Sequence, residues 1–238
     1  MHILILSDAQ TRNIKPINGA YAAFHKNGTT YRESLEPRSP ELFEVPTDIE
    51  VLQIVLDGWT LQEGWTSEVQ EIVYRKCNEQ GWEPNSIDVV FLLGGFSELR
   101  GNLRIKNSET ELQNLRNELI RNVEGILQQI EMKSSYQSIK FYLGAGAMWY
   151  DSSYYNREIN SDLVQSKFRN IAIFNKEVAL RSRRWRKMNS RLKFWNVFAI
   201  LGNLNIQNEF GHLNWSGQMR IAQEIEELLV MVNGTENQ

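Results

Sequence analysis

The last loop of the chain pairs an acidic residue with a histidine at a spacing that suits proton transfer. Glu209 stands three residues before His212, and a carboxylate at that distance in a loop can accept a hydrogen bond from the histidine's Nδ1. Such a bond fixes the ring tautomer and stabilises the imidazolium, so that Nε2 can act as a general base. Taken alone, Glu-x-x-His more often marks a solvated loop pair, so the rest of the chain must supply a partner for His212.

Three further candidate segments each follow an apolar run. Residues 3–6 lead into Ser7-Asp8-Ala9-Gln10-Thr11, the second run ends in Asp57-Gly58, and the third is followed by Gly95-Phe96-Ser97-Glu98-Leu99. In parallel α/β sheets the ligand lies at the carboxyl ends of the strands. These segments are therefore expected to meet at one edge of a sheet.

The elements that must position these segments alternate between strand and helix. Short apolar runs predict strands at 3–6, 50–56, 87–93, 139–143 and 194–201. Three- and four-residue apolar spacing predicts helices at 67–81, from Ser108 to 130, from 161 to 178 and after Gly217. Ser67 and Gln70 have the spacing of a capping box at the start of the first helix. The predicted apolar stripes are Val69, Ile72, Val73 and Cys77 in the first helix and Ile221, Ile225, Leu228, Leu229 and Val232 in the last. The alternation predicts a three-layer α/β/α sandwich with a mainly parallel five-stranded sheet.

The segment between the first two strands is irregular and rich in proline and glycine. Residues 11–46 are predicted to form a long connection with one short helix around 20–26. Because long connections in compact domains usually carry function or are disordered, this segment is also a candidate binding loop.

Composition and length place the chain among soluble single-domain proteins. Its 238 residues fit one domain, 1–238, and a net charge of -3 gives no general attraction to nucleic acid or anionic membranes. The one cysteine, Cys77, excludes an intramolecular disulfide and a cysteine metal cluster. No signal segment or apolar run of about 20 residues is visible, so we expect no membrane span and a cytoplasmic location.

The two terminal motifs resemble those of the SGNH (GDSL-like) hydrolases. The final loop is similar to the family's Asp-x-x-His motif ahead of an amphipathic helix, with Glu209 in place of the aspartate and His212 in the base position. The first strand is similar to the family's strand that ends in Gly-Asp-Ser. On this match Ser7 replaces the glycine, Asp8 is kept, and Ala9 stands where the family has its serine nucleophile.

The middle motifs are similar to the oxyanion-hole motifs of the same family. Gly58 matches the glycine that follows the second strand, and residues 95–99 match Gly-x-Asn-Asp-Leu, with Ser97 in the asparagine position. A hydroxyl can donate to an oxyanion as an amide does. Asn102, five residues further on, is the alternative donor.

The resemblance implies a flavodoxin-like SGNH fold and a Ser-His-acid esterase that needs no cofactor and no metal. The expected reaction is hydrolysis of a small acyl ester on a small molecule or glycan, possible only with a nucleophile that Ala9 lacks. Ala9 is either a deliberate replacement of serine or a natural loss. The alternative functions are a catalytically silent binding protein and an acyltransferase that uses the same site.

Tryptophans and a basic run suggest where partners bind. Trp59, Trp149 and Trp215 follow strand ends or lie beside His212, so they are either walls of a substrate cleft or ordinary packing residues. A dense basic run predicts either contact with an anionic partner or the solvated end of a helix. The run consists of Arg181, Arg183, Arg184, Arg186, Lys187, Arg191 and Lys193.

Overall fold

A computed structural model describes the chain over eight continuous stretches and a few helical positions between them. The described residues are 1–8, 12–34, 40–59, 66–83, 86–94, 110, 114, 117–118, 121, 140–145, 192–195 and 214–236. The strands with described bounds are β1 (His2–Ser7), β2 (Lys15–Ile17), β3 (Ala20–Asn27), β4 (Thr30–Glu33), β5 (Glu41–Glu44), β6 (Glu50–Asp57), β7 (Ile87–Gly94), β8 (Lys140–Ala145) and β9 (Leu192–Trp195). The helices with described bounds are α1 (Ser67–Glu79) and α2 (Trp215–Glu236).

Seven of these strands form one sheet in the order β4-β3-β6-β1-β7-β8-β9. Every neighbouring pair is parallel except β3 and β4, which are antiparallel. The predicted α/β class with a mainly parallel sheet is therefore confirmed. The predicted number of five strands is wrong, because β3 and β4 extend one edge of the sheet.

The five predicted strands are present and adjacent, as β6-β1-β7-β8-β9. If these five strands are numbered 1 to 5 along the chain, their order across the sheet is 2-1-3-4-5, which is the flavodoxin-like order. Their bounds differ in places: the predicted strand at 194–201 corresponds to Leu192–Trp195, and residues 196–201 lie outside the described part. The order of the strands reverses between β1 and β7, and this switch point is where such sheets bind ligands.

The predicted short helix around residues 20–26 is wrong, because this stretch forms β3. It pairs in parallel with β6, from Ala20 against Leu52 to His25 against Asp57. Ala22, Ala23 and Phe24 are buried, so long-range pairing and burial decide the conformation here. A two-residue loop that contains Gly28, with φ of 66°, turns the chain from β3 into antiparallel β4.

The rest of the irregular segment adds a second, two-stranded sheet of β2 and β5. Phe43 on β5 and Ile14, just before β2, are completely buried and share a core cluster with the last helix. The segment that was predicted to be one long connection therefore contributes four strands and part of the core.

Both faces of the main sheet are buried, as in a sandwich. One face packs against α2, whose apolar stripe matches the predicted one, and the shared cluster contains Ile3, Ile5, Val89, Phe91, Ile221, Ala222, Ile225, Leu228, Leu229 and Val232. The opposite face buries Leu4, Leu6 and Leu52. The apolar stripe of α1 is buried as predicted, at Val69, Ile72, Val73 and Cys77.

Helix α1 begins one residue earlier than its predicted capping box. Thr66, and not Ser67, is the N-cap, and its side-chain oxygen accepts a hydrogen bond from the Val69 N–H at 3.3 Å. Cys77 on α1 is completely buried, and desolvation raises the pKa of its thiol to about 11. Neither helix with described bounds has the length and apolar character needed to cross a membrane.

Candidate active site

The carboxyl ends of three adjacent strands lie side by side. Ser7 at the end of β1 is in register with Val55 of β6 and with Leu93 of β7. The backbone N–H of Asp8 continues the β1–β7 pairing by donating to the Leu93 carbonyl oxygen at 3.0 Å. The chain therefore leaves β1 at the switch point, and residue 9 is the next residue.

The two polar residues that precede position 9 are buried. Ser7 is 0% exposed and Asp8 is 1% exposed. Since the Ser7 hydroxyl does not face solvent, it is poorly placed to act as a nucleophile. Asp8 is a buried carboxyl residue that directly follows β1, and its part in a site stays a prediction.

Gly58 lies in a tight turn at the end of β6. The Trp59 N–H donates to the Leu56 carbonyl oxygen at 3.0 Å, and Gly58 has φ of 87°. These are the features of a type II turn, which needs a positive φ at its third residue and therefore favours glycine there. A Cβ on Gly58 would meet Lys26 Cβ at 3.4 Å, an ordinary contact, so the backbone conformation is what calls for glycine.

An ion pair that sequence reasoning missed joins this turn to the loop after β1. Arg12 Nη1 lies 3.2 Å from Asp57 Oδ2, and the Tyr21 hydroxyl donates to the Arg12 carbonyl oxygen at 2.7 Å. Arg12 and Asp57 are 45 residues apart in sequence, and no motif links them. The pair connects the turn of Gly58 with a residue three positions after Ala9.

A contact near the C-terminal end of α2 shows how this helix is oriented relative to the sheet. Asn233 Nδ2 donates to Asp48 Oδ2 at 3.2 Å, and the terminal ammonium of Met1 donates to the Asp48 carbonyl oxygen at 3.2 Å. Asn233 therefore lies at the amino edge of the sheet. The helix from Trp215 to Asn233 is about 27 Å long and β1 is about 20 Å long, so the start of α2 reaches the carboxyl edge.

The start of α2 corrects the predicted one. The helix begins at Trp215 and not after Gly217, and the Asn214 side-chain oxygen caps it by accepting from the Gly217 N–H at 3.0 Å. The start of α2 therefore lies at the same edge as Asp8 and Gly58, and in the sequence the Glu-x-x-His motif ends three residues before it.

The tryptophan candidates differ in exposure. Trp59 is 0% exposed, which favours the packing alternative for it. Trp215 is 57% exposed at the start of α2, so its ring is available to a ligand.

Several predicted site residues lie outside the described part of the chain, so their roles remain predictions. They are Ala9, Ser97, Asn102, Trp149, Glu209 and His212, together with the basic run up to Arg191; of Lys193 only the backbone, in β9, is described.

Removal of the α2 cap is expected to destabilise the helix start. Asn214→Ala leaves the Gly217 N–H without its side-chain acceptor, and we expect the free energy of unfolding to fall by about 1 kcal/mol. Urea denaturation measures the change. Asn214→Asp keeps an acceptor oxygen, so its free energy of unfolding should fall by less. An equal fall in both variants would show that the side-chain acceptor of residue 214 does not stabilise the helix start.

Comparison with known proteins adds information on the fold. No protein-family model matches the chain, and no curated protein sequence matches it. A carbohydrate acetylesterase family member from Sinorhizobium meliloti matches with a TM-score of 0.54 at 12% identity, over 98% of this chain and 99% of that chain. The inhibitor-bound form of the M. smegmatis aryl esterase matches with a TM-score of 0.51 at 12% identity, over 98% of each chain. The chain therefore shares the α/β fold of these two esterase structures.

Proposed function

We propose that the chain carries the active-site framework of an SGNH-type esterase that hydrolyses acyl esters, with Ala9 in the position of the nucleophile. One observation carries this proposal. Residue 9 follows β1 at the switch point of the sheet, and the glycine turn of β6 and the start of α2 lie at the same edge. Nucleophile, oxyanion and base motifs would have to meet at that edge.

The proposed roles follow the chemistry of acyl transfer. A serine at position 9 would lose its proton to His212 and attack the ester carbonyl, while Glu209 would hold the imidazole in the correct tautomer. The backbone N–H groups of residue 9 and Gly58 would stabilise the oxyanion, with Ser97 or Asn102 as a third donor. His212 would then protonate the leaving alcohol, and water would release the acyl group.

The alanine at position 9 has two explanations, replacement of a serine in an esterase or natural loss of the nucleophile in a binding protein. Alanine has no nucleophilic atom, so the present chain cannot form an acyl-enzyme. We favour replacement of a serine over natural loss, because Glu209 and His212 are both retained in the sequence. In the second version the chain is a silent binding protein. Acyl transfer to an acceptor other than water would use the same residues.

The proposed substrate is a small acyl ester, such as an acetyl ester, on a carbohydrate-like alcohol. The exposed ring of Trp215 at the carboxyl edge supports it, because aromatic rings offer an apolar face to sugars. The fold match to a carbohydrate acetylesterase family member agrees with this class. The cytoplasmic location, the single domain over 1–238 and an anionic partner for the basic run at 181–193 remain parts of the proposal.

Covalent labelling tests the proposed nucleophile position directly. A fluorophosphonate reacts with an activated serine and forms a stable adduct, so the Ala9→Ser protein should be labelled at residue 9. Intact-mass and peptide mass spectrometry locate the adduct. The present chain should stay unlabelled, and the Ala9→Ser, His212→Ala protein should label far more slowly. Labelling of the present chain at another serine would place the nucleophile elsewhere.

A further inference from the structure

The ion pair of Arg12 and Asp57 connects two segments that the proposed reaction needs. The Arg12 guanidinium donates to Asp57, and the Arg12 carbonyl oxygen accepts from the Tyr21 hydroxyl. Asp57 is the last residue of β6 and is followed by Gly58. One side of the pair therefore lies three residues after position 9 in the sequence, and the other lies in the turn of Gly58.

The exposure of the pair suggests that its main role is not to stabilise the fold. The Arg12 and Asp57 side chains are 39% and 38% exposed. Ion pairs as exposed as this one contribute little to stability, because water and salt screen the charges. Because the Arg12–Asp57 pair contributes little to stability, its effect on the geometry of the turn can be measured without unfolding the protein.

The backbone pairing of β6 with β3 ends at Asp57, which is in register with His25, so Gly58 is the first residue beyond it. Types I and II share the hydrogen bond from the fourth residue to the first, and they differ by a rotation of the central peptide by roughly half a turn. In this turn the central peptide joins Asp57 to Gly58. Because glycine accepts φ of either sign, Gly58 alone does not exclude the rotated peptide, in which its N–H would point the other way.

We propose that Arg12 is a positioning residue: by pairing with Asp57 it holds the Asp57–Gly58 peptide, and with it the Gly58 N–H, in one orientation. The catalytic part of this inference rests on the proposed function, in which the Gly58 N–H is an oxyanion donor. The hold on the turn does not depend on catalysis. The two parts can therefore be tested separately.

The first test measures the turn in the present chain. Arg12→Gln and Asp57→Asn remove one charge each and should populate the rotated peptide. The Hα of residue 57 lies close to the Gly58 amide proton in a type II turn and farther from it in a type I turn, so the NOE between these two protons should weaken by about twofold or more. NMR measures this NOE. Arg220→Gln is the matched control, since Arg220 is exposed and pairs with Glu224 within α2 at 2.6 Å, and it should leave this NOE unchanged.

The second test measures kinetics in the Ala9→Ser background. Arg12→Gln should lower kcat by about ten- to a hundredfold, less than the outright loss of an oxyanion donor, with KM within about twofold because the effect lies on the transition state. Arg12→Lys keeps the charge without the planar fork and should recover part of kcat. Arg12→Gln combined with Asp57→Asn should cost no more than the larger single loss.

Each outcome decides one part of the inference. An unchanged NOE between residue 57 and Gly58 in both variants would overturn the hold on the turn. A weaker NOE with an unchanged kcat, or additive losses in the double variant, would overturn the positioning role. An Ala9→Ser protein without activity would overturn the catalytic part together with the proposed function, and the NOE result would still decide whether the pair holds the turn.

Discussion

The Ala9→Ser protein should hydrolyse p-nitrophenyl acetate about a thousandfold faster than the present chain, or more. Loss of the nucleophile in serine hydrolases removes several orders of magnitude from kcat, while the oxyanion donors and binding sustain a residual rate. A faint rate in the alanine form is therefore compatible with the proposal. The measurement is the ratio of kcat/KM for the two forms, each purified in parallel.

The pH dependence of the restored activity identifies its base. Histidine changes charge between about pH 5 and 8, and an imidazolium cannot accept the serine proton. The rate should therefore fall as the pH is lowered through this range, and His212→Ala in the Ala9→Ser background should abolish most of it. If the restored serine gives no rate above that of the alanine form, the hydrolase proposal fails and the silent binding protein replaces it.

The elements that could be predicted from sequence are those whose signal is local. The β1 and β7 runs are nearly all apolar because both faces of a central parallel strand are buried, and these runs predicted the strands. The stripe of α2 repeats at helical spacing, and it packs as predicted. Because parallel strands present their ends at one edge, the position of Asp8 beside the β6 and β7 ends could also be predicted.

The elements that were missed depend on long-range contacts. The β3 stretch contains alanines and a lysine and has no clear two-residue alternation, and its pairing with β6 makes it a strand. The Arg12–Asp57 pair joins residues 45 positions apart, and neither residue belongs to a recognisable motif. Sequence patterns do not report such pairings, because they form only when the chain is folded.

Small shifts at helix ends have a similar cause. Thr66 and Ser67 are adjacent hydroxyl residues, and either one can cap a helix by propensity. The choice of Thr66 depends on which of the two residues has extended backbone angles, and Thr66 has φ of -65° and ψ of 165°. At α2, Asn214 caps the helix, and the glycine at 217 lies inside its first turn.

Replacement of Glu209 is expected to have the second large effect on the restored enzyme. In the Ala9→Ser background, Glu209→Gln exchanges the proposed acceptor of the His212 Nδ1 proton for an amide of nearly the same shape. The amide can favour the wrong tautomer and cannot stabilise the imidazolium, and the equivalent change in a serine protease lowers kcat by about 10⁴. We expect a loss of about a hundredfold to ten-thousandfold in kcat.

Two matched variants separate this role from a structural one. Glu209→Asp restores the acid that is usual in the resembled family and should keep most of the activity, because the carboxylate remains. Glu224→Gln makes the same carboxylate-to-amide change on α2, where Glu224 pairs with Arg220 at 2.6 Å, and it should leave kcat unchanged. The melting temperature should change little in the Glu209 variants, since a loop carboxylate contributes little to the fold.

A mild kinetic effect of Glu209→Gln would mean that another acid orients His212. Asp8, buried beside position 9, would then be the first carboxyl to test and Glu98 the second.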